Sequence, residues 1–173
     1  MKKFLPIKAM FLVISIQALI FQPANSAEKQ VAPAPNGIRI PEGYKNWQMI
    51  SSSHRTDNQT LRVILGNKIA VKAARNAKTK PWPDGTILAK IVWKDSQHPL
   101  WQAATVPGAL VHTEFMLKDS KKYVSTKGWG FARWKGLKQQ PYGDNASFAH
   151  ECLECHAPAK GNDYVFTKPA SLP

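Results

Sequence analysis

The only two cysteines of the chain, Cys152 and Cys155, stand three positions apart, and His156 follows directly. This Cys-x-x-Cys-His spacing is typical of covalent c-type haem attachment. The two thiols add across the two vinyl groups of a porphyrin as thioethers, and a short helical turn presents both thiols to one porphyrin edge. The imidazole of His156 then points at the iron as the proximal ligand. The motif therefore predicts one covalently bound haem c, with His156 as the metal ligand.

Three other uses of these residues are weaker. A thioredoxin-type redox pair follows a strand in a βαβ unit, whereas residues 145–151 have the pattern of a short helix. A zinc site would need His150, Cys152, Cys155 and His156 within seven residues, although zinc prefers well-separated ligand pairs around a tetrahedron. A structural disulfide between the two cysteines would close too short a loop to add much stability.

The N-terminus has the pattern of an export signal. Three lysines stand among the first eight residues, a mostly apolar run covers Ala9–Phe21, and small residues follow at 24–27. This pattern predicts a cleaved signal peptide over residues 1–27. We therefore expect a periplasmic protein, because thioether attachment of haem takes place outside the cytoplasm. Residues 28–37 contain two prolines and are predicted to form a flexible leader.

The remaining chain, residues 38–173, has the length of a single domain. The formal net charge of the full sequence is +13. A strongly basic protein attracts acidic partners by long-range electrostatics, so we expect an acidic redox partner such as another cytochrome. The basic residues are scattered along the chain, and an exported haem protein is not expected to bind nucleic acid.

The apolar patterning predicts an α+β fold, in which an antiparallel sheet of about five strands is accompanied by short helices. A helix over Lys68–Lys78 is predicted to begin after the N-cap residue Asn67, and a C-terminal helix carries the haem motif. Further short elements are a helix at Asp119–Tyr123 and a loop over Ser96–Gly108. The predicted strands are Trp47–Ser53, Leu61–Leu65, Thr86–Lys94, Ala109–Lys118 and Trp129–Lys135.

Two charged residues lie inside these strands. Lys90 interrupts an apolar run, and the alternation by itself favours a solvent-facing side chain on the polar face of a half-buried strand. Glu114 shares a strand face with His112 and Met116, and an acid in such a place is most often solvated or salt-bridged at the surface. The remaining histidines, among them His112, are expected mostly in surface or loop positions.

The chain resembles the cytochrome P-460 family, including its cytochrome c′-β relatives, over roughly residues 37–168. The resemblance depends on the Leu61–Asn67 segment, on Trp82-Pro83-Asp84-Gly85-Thr86 followed by Lys90, on Glu114, and on the Cys-x-x-Cys-His motif near the end. It implies an antiparallel sheet fold, often dimeric, with a five-coordinate haem.

In the hydroxylamine-oxidising members of that family a strand lysine bonds to the porphyrin edge and a carboxylate accepts protons. The resemblance assigns these roles to Lys90 and Glu114. It implies oxidation of hydroxylamine towards nitrous oxide or nitrite, with electrons passed to an external acceptor. An apolar patch at Tyr164–Phe166 is expected to pack back beside the haem.

Two alternatives stay open. A cytochrome c′-β-like protein would bind nitric oxide in an apolar pocket without catalysis, and Phe115, Phe131 or Phe148 could cap such a pocket. A plain electron-transfer cytochrome would need a sixth ligand, for which the candidates are Met49, Met116 and His112.

Overall fold

Residues 31–171, the part of the chain that the computed structural model describes, are built around one antiparallel sheet. The predicted signal peptide, residues 1–27, lies outside the described residues. The six strands pair in chain order, each with the next. Their bounds are Gln48–Arg55 (β1), Thr60–Gly66 (β2), Ile87–Gln97 (β3), Thr105–Lys118 (β4), Trp129–Lys135 (β5) and Gln140–Pro141 (β6).

Two α-helices and three short 3₁₀ turns accompany the sheet. Helix α1 covers Lys68–Arg75 and helix α2 covers Phe148–His156. The 3₁₀ turns are Tyr44–Asn46, Val124–Thr126 and Ala157–Asn162. The predicted α+β class is confirmed, with an antiparallel sheet and a C-terminal helix that carries the cysteines. No helix within residues 31–171 combines the length and apolarity needed to cross a membrane.

The secondary structure predicted from the sequence differs from the structure at one strand, one loop and one helix. A sixth, two-residue strand forms where a loop was predicted, because Gln140 pairs with Lys135. The predicted loop at Ser96–Gly108 is partly wrong, since β3 and β4 continue as a long hairpin. A ladder irregularity between Trp93 and Asp95 accompanies this extension. The helix predicted at Asp119–Tyr123 is wrong, because these residues form a turn and the 3₁₀ turn Val124–Thr126 begins just after them.

Both faces of the sheet are covered. On one face Leu88 and Phe131 pack with α1, α2 and the C-terminal tail in a buried cluster. On the other face Phe115 lies edge-on to Tyr44 and Trp134, with ring centroids 5.1 and 5.7 Å away. Burying a side chain of this size stabilises the fold by about 1.5–3 kcal/mol. The strands are therefore held from two sides, which makes the sheet a rigid base for the residues it carries.

The second face is covered by the segment just before the sheet. Ala34 and Ile38 are buried there, and the indole nitrogen of Trp134 donates to the carbonyl of Ala32 at 2.9 Å. The amide of Asn36 donates to the carbonyl of Phe131 at 2.8 Å. A flexible leader was predicted for residues 28–37. Residues 31–37 do not form one, because they pack against the second face of the sheet and hydrogen-bond to it.

Candidate haem site

A cavity of about 1090 Å³ opens on the first sheet face, between the strands, the last turns of α2 and the C-terminal tail. This is slightly above the range of about 300–1,000 Å³ that small-molecule and cofactor sites usually occupy. The cavity contains all five residues predicted from the sequence to form the site. They are Lys90, Glu114, Cys152, Cys155 and His156.

The two cysteines lie on α2, which the buried side chains of Phe148 and Ala149 fix to the rest of the domain. Both thiols are free, so the alternative of a structural disulfide is not supported. Cys155 is exposed and Cys152 is half-buried. Burial raises the pKa of the Cys152 thiol to about 11, so this group is a neutral thiol at pH 7.

His156 ends α2 with its ring held in one orientation. Its Nδ1 lies 2.7 Å from the carbonyl oxygen of Tyr164, and a carbonyl can only accept, so Nδ1 carries the proton. The lone pair is then on Nε2, which is the arrangement of a metal-ligating histidine with an outer hydrogen-bond partner. Burial also lowers the pKa of His156, which favours the neutral ring that a metal needs.

Two phenylalanines flank this imidazole. The ring centroid of Phe131 lies 5.5 Å from that of His156, and the ring of Phe166 lies 5.2 Å away on the tail. The apolar patch at Tyr164–Phe166 thus packs beside the histidine, as expected. The zinc alternative finds no support, since nowhere in residues 31–171 are three or more His, Cys, Asp or Glu side chains grouped to hold a metal ion.

Lys90 and Glu114 are direct neighbours across the β3–β4 ladder. The lysine ammonium contacts the Glu114 carboxylate, and the two side chains are 31% and 13% exposed. The alternation-based prediction that Lys90 points into solvent is therefore wrong. The second sheet face is the one filled by core residues such as Phe115, and this leaves Lys90 on the face that lines the cavity.

Two further residues complete the Glu114 environment, and one of them, Arg133, was missed from the sequence. Arg133 is the register partner of Glu114 on β5, and its Nε donates to Glu114 Oε1 at 2.5 Å. His112 lies two positions before Glu114 on the same face, with its Nε2 at 3.4 Å from Oε1. The alternation on β4 already put His112 beside Glu114, whereas Arg133 could be found only from the strand register.

This grouping sets the protonation states of the site. Burial by itself raises the pKa of Glu114, but the attraction of Lys90 and Arg133 outweighs it and lowers the pKa to about 2. Burial lowers the pKa of His112 to about 4, against the opposing pull of Glu114. At pH 7 the site therefore holds an ionised Glu114 between two cations and a neutral His112, in contrast to the surface position expected for this histidine.

Of the suggested capping phenylalanines, Phe131 has its ring beside the site. Phe115 and Phe148 are buried in the cluster on the other side, where they pack as core residues. Among the suggested sixth ligands, Met116 and His112 line the cavity. Met49 is not among the residues that line it and is 38% exposed on β1.

The residues present fit a c-type haem. The cavity offers two free thiols near one helix end, a histidine with a metal-ready Nε2, and an apolar wall for a flat macrocycle. That wall is formed by Ile64, Leu88, Met116, Phe131 and Val165. Cationic side chains around it suit the carboxylates that a porphyrin carries.

Comparison with known proteins gives one family. A search of curated protein sequences finds no match to the chain. The family model described as Cytochrome P460 matches residues 41–167, a span that includes every strand and all five predicted site residues. This family implies c-type haem binding. The chain belongs to the cytochrome P460 family.

Proposed function

We propose that this protein is a periplasmic c-type haem enzyme that oxidises hydroxylamine, towards nitrous oxide or nitrite, and passes the electrons to an external acceptor. The observation that supports this proposal most is the contact between Lys90 and Glu114 inside the cavity that also holds Cys152, Cys155 and His156. An amine and an acid placed together beside a haem motif match the roles that hydroxylamine oxidation needs.

In this proposal the haem is held by thioethers to Cys152 and Cys155 and by the Nε2 of His156. When bound, it supplies an open coordination position for the nitrogen of hydroxylamine and a centre that accepts electrons. The hydrogen bond of His156 to the Tyr164 carbonyl keeps the ring in the ligating tautomer. The buried ring of Phe131 packs beside the imidazole.

Glu114 accepts the protons that leave with the electrons, as a positioned general base. With a pKa of about 2 it is a poor base while the charged Lys90 and Arg133 both hold it. A Lys90 nitrogen bonded to the porphyrin edge would share its lone pair with the ring and carry no positive charge. Glu114 would then lose one of its two cations and become more basic, so a lysine link and an effective base belong together.

The acceptor is proposed to be an acidic redox protein such as another cytochrome, because the chain carries a formal net charge of +13. A homodimer is proposed from the family resemblance alone. Neither partner changes the chemistry assigned to the cavity.

A second function is favoured by the same ion pairs. If Lys90 stays an ammonium, Glu114 remains held by two cations and has little basicity. The cavity would then act as a binding site for nitric oxide at the iron position that His156 leaves open. The state of Lys90 therefore separates an enzyme from a gas-binding protein of the cytochrome c′-β kind.

The test uses the ferric holo-protein with hydroxylamine and an artificial electron acceptor. We expect turnover with formation of nitrous oxide or nitrite, a strongly red-shifted Soret band, and a haem-bearing peptide that also contains Lys90. Lys90→Arg keeps the cation but cannot make the same bond, and it should abolish both the band shift and the turnover. Lys94→Arg, on the exposed end of the same strand, is the matched control and should change neither.

No turnover with an unlinked Lys90 would exclude the oxidase. Saturable nitric oxide binding under those conditions would support the gas-binding function in its place.

A further inference from the structure

We propose that Arg62 on β2 anchors a carboxylate of the bound porphyrin, one of its propionate groups, at the end of the cavity away from α2. The inference rests on the haem binding contained in the proposed function. It is independent of whether the reaction is hydroxylamine oxidation or gas binding.

The first observation is an unpaired donor. Arg62 lines the cavity, and its Nε is buried without a hydrogen-bond partner among the described residues. Another guanidinium nitrogen of Arg62 donates to the hydroxyl of Thr60 at 3.1 Å. Guanidinium groups have donors only, and a buried donor left unpaired is costly. This nitrogen has no acceptor within the protein, and a group that fills the cavity beside it could supply one.

The unpaired atom is distinctive within the described chain. Three other buried side-chain atoms lack a partner, and all of them belong to residues that do not line the cavity. They are Trp82 Nε1, Thr86 Oγ1 and Asp95 Oδ1. Among the described residues, Arg62 is thus the one that lines the haem cavity and also has a buried side-chain nitrogen without a hydrogen-bond partner.

The second observation is a missing negative charge. The carboxylate of Glu114 is shared by Lys90 and Arg133, and Arg55 at the cavity rim is paired with Asp57. Arg62 forms no salt bridge within residues 31–171. Burial, followed by the nearby Arg55, lowers the pKa of Arg62, and the more weakly acting carboxylates of Glu114 and Asp57 do not offset this. A bound carboxylate would compensate both the burial and the repulsion.

The third observation is position. The thioether edge of the porphyrin belongs at α2, which contacts β5. Arg62 is on β2, three strands away from β5 in the sheet, a lateral separation of about 14 Å at the usual strand spacing. Propionates project from the porphyrin edge opposite the vinyl groups. A macrocycle attached at α2 and lying across the sheet would bring its carboxylates to the side of Arg62.

Two sources could supply an anion here, namely the porphyrin propionate and a free anion from solution. A guanidinium fork binds either through parallel hydrogen bonds. The propionate is favoured because it stays in the cavity permanently, as the buried nitrogen requires.

The experiment compares ferric holo-proteins carrying Arg62→Gln, Arg62→Lys and, as matched control, Arg55→Gln. Arg55 lies at the same cavity rim but already has Asp57 as its partner. Resonance Raman spectra report hydrogen bonding to the propionates through their bending band, and a redox titration gives the haem midpoint potential. We expect Arg62→Gln to shift the band and lower the midpoint potential, because a cation near the haem favours its reduced form. Arg62→Lys should shift the band less, and Arg55→Gln should leave the propionate band unchanged.

An unchanged propionate band in both Arg62 variants would overturn the proposal, and Arg62→Lys, which keeps the charge, decides the case if Arg62→Gln does not fold. Formate serves as the probe for the alternative that Arg62 binds a free anion from solution. Saturable formate binding that is lost in Arg62→Gln, with an unshifted propionate band, would assign Arg62 to a free anion and overturn the propionate assignment. Intact mass of the wild-type protein distinguishes failure of the proposed function from failure of the Arg62 inference. A protein without covalent haem would overturn both, whereas a haem-bearing protein leaves the Raman result to decide the role of Arg62.

Discussion

Lys90 and Glu114 occupy directly opposed positions on β3 and β4, and the lysine ammonium contacts the carboxylate inside the cavity. Arg133 holds the other carboxylate oxygen from β5. A row of three charged side chains therefore crosses three adjacent strands beneath the haem motif. Each of these charges is partly withdrawn from water, so each depends on the others.

Glu114→Gln should destabilise the protein by about 3–5 kcal/mol, because it leaves two partly buried cations without their counter-charge. A double-mutant cycle of Lys90→Met and Glu114→Gln, measured by urea unfolding, should show a coupling energy between about 0.5 and 3 kcal/mol. The exposed pair of Arg55 and Asp57 is the matched control and should couple more weakly, because water screens an exposed ion pair. Equal coupling in the two pairs would contradict the buried network.

The stability of the protein should fall as the pH is lowered from about 6.5 to about 4, in part because of His112. Burial lowers the pKa of this histidine to about 4. Between these pH values His112 therefore binds a proton in the unfolded chain and stays neutral in the folded chain. One such group changes the free energy of unfolding by about 1.4 kcal/mol per pH unit. Urea unfolding across this range should show a smaller pH dependence for His112→Gln than for wild type.

The control for this titration is His98→Gln, in the loop just after β3, which should keep the wild-type slope. If His112→Gln had the same slope as wild type, the buried neutral histidine would be excluded.

Glu114 adds a second loss of stability at lower pH. Its folded pKa of about 2 lies below its usual value, so the ionised form contributes stability above about pH 4.5, and this contribution is lost as the pH falls towards 2. Glu114→Gln is less stable at pH 7 but should lose less on acidification. Thermal unfolding between pH 5 and pH 2, at about half-unit steps, checks this; Glu42→Gln, an exposed acid, should behave as wild type.

Covalent haem should depend on both cysteines. Cys152→Ala together with Cys155→Ala should remove the haem mass from the denatured protein, because no thiol is left to form a thioether. Cys155→Ala alone should keep one thioether and show an altered optical spectrum. Intact mass under denaturing conditions is the measurement. Glu154→Ala, between the cysteines, should retain the full haem mass, and haem that stayed on the double variant would refute the attachment site.

Asn67 should contribute more to stability than an ordinary helix cap. Its side-chain oxygen accepts from the backbone of Ala70 at 2.9 Å and of Ile87 at 3.2 Å, and its amide donates to the carbonyl of Gly85 at 2.8 Å. Asn67→Ala should cost about 1–2 kcal/mol or more in urea unfolding. Asn67→Asp keeps the acceptor and should cost less; a loss below about 0.5 kcal/mol for Asn67→Ala would place it among ordinary surface substitutions.

The local chemistry of the site was predictable from the sequence. The spacing of Cys152, Cys155 and His156 belongs to one helical turn, so it needs no knowledge of the fold. The strands and the N-cap at Asn67 were likewise predictable, because alternation and capping act between near neighbours. The two-residue strand β6 was not, since its pairing depends on where the preceding strand happens to lie.

What the tertiary structure decided is which charges meet. Alternation says that Lys90 and Ala89 point to opposite faces, but it cannot say which face is the cavity when both faces are covered. The register brings Arg133 opposite Glu114 from a strand nineteen positions away in the chain, and the packing leaves Arg62 with a buried nitrogen. The sequence alone determined that the chain carries a haem motif and a sheet. The charged residues that surround the motif are brought together by the pairing of strands distant in the chain, and no local sequence pattern encodes that pairing.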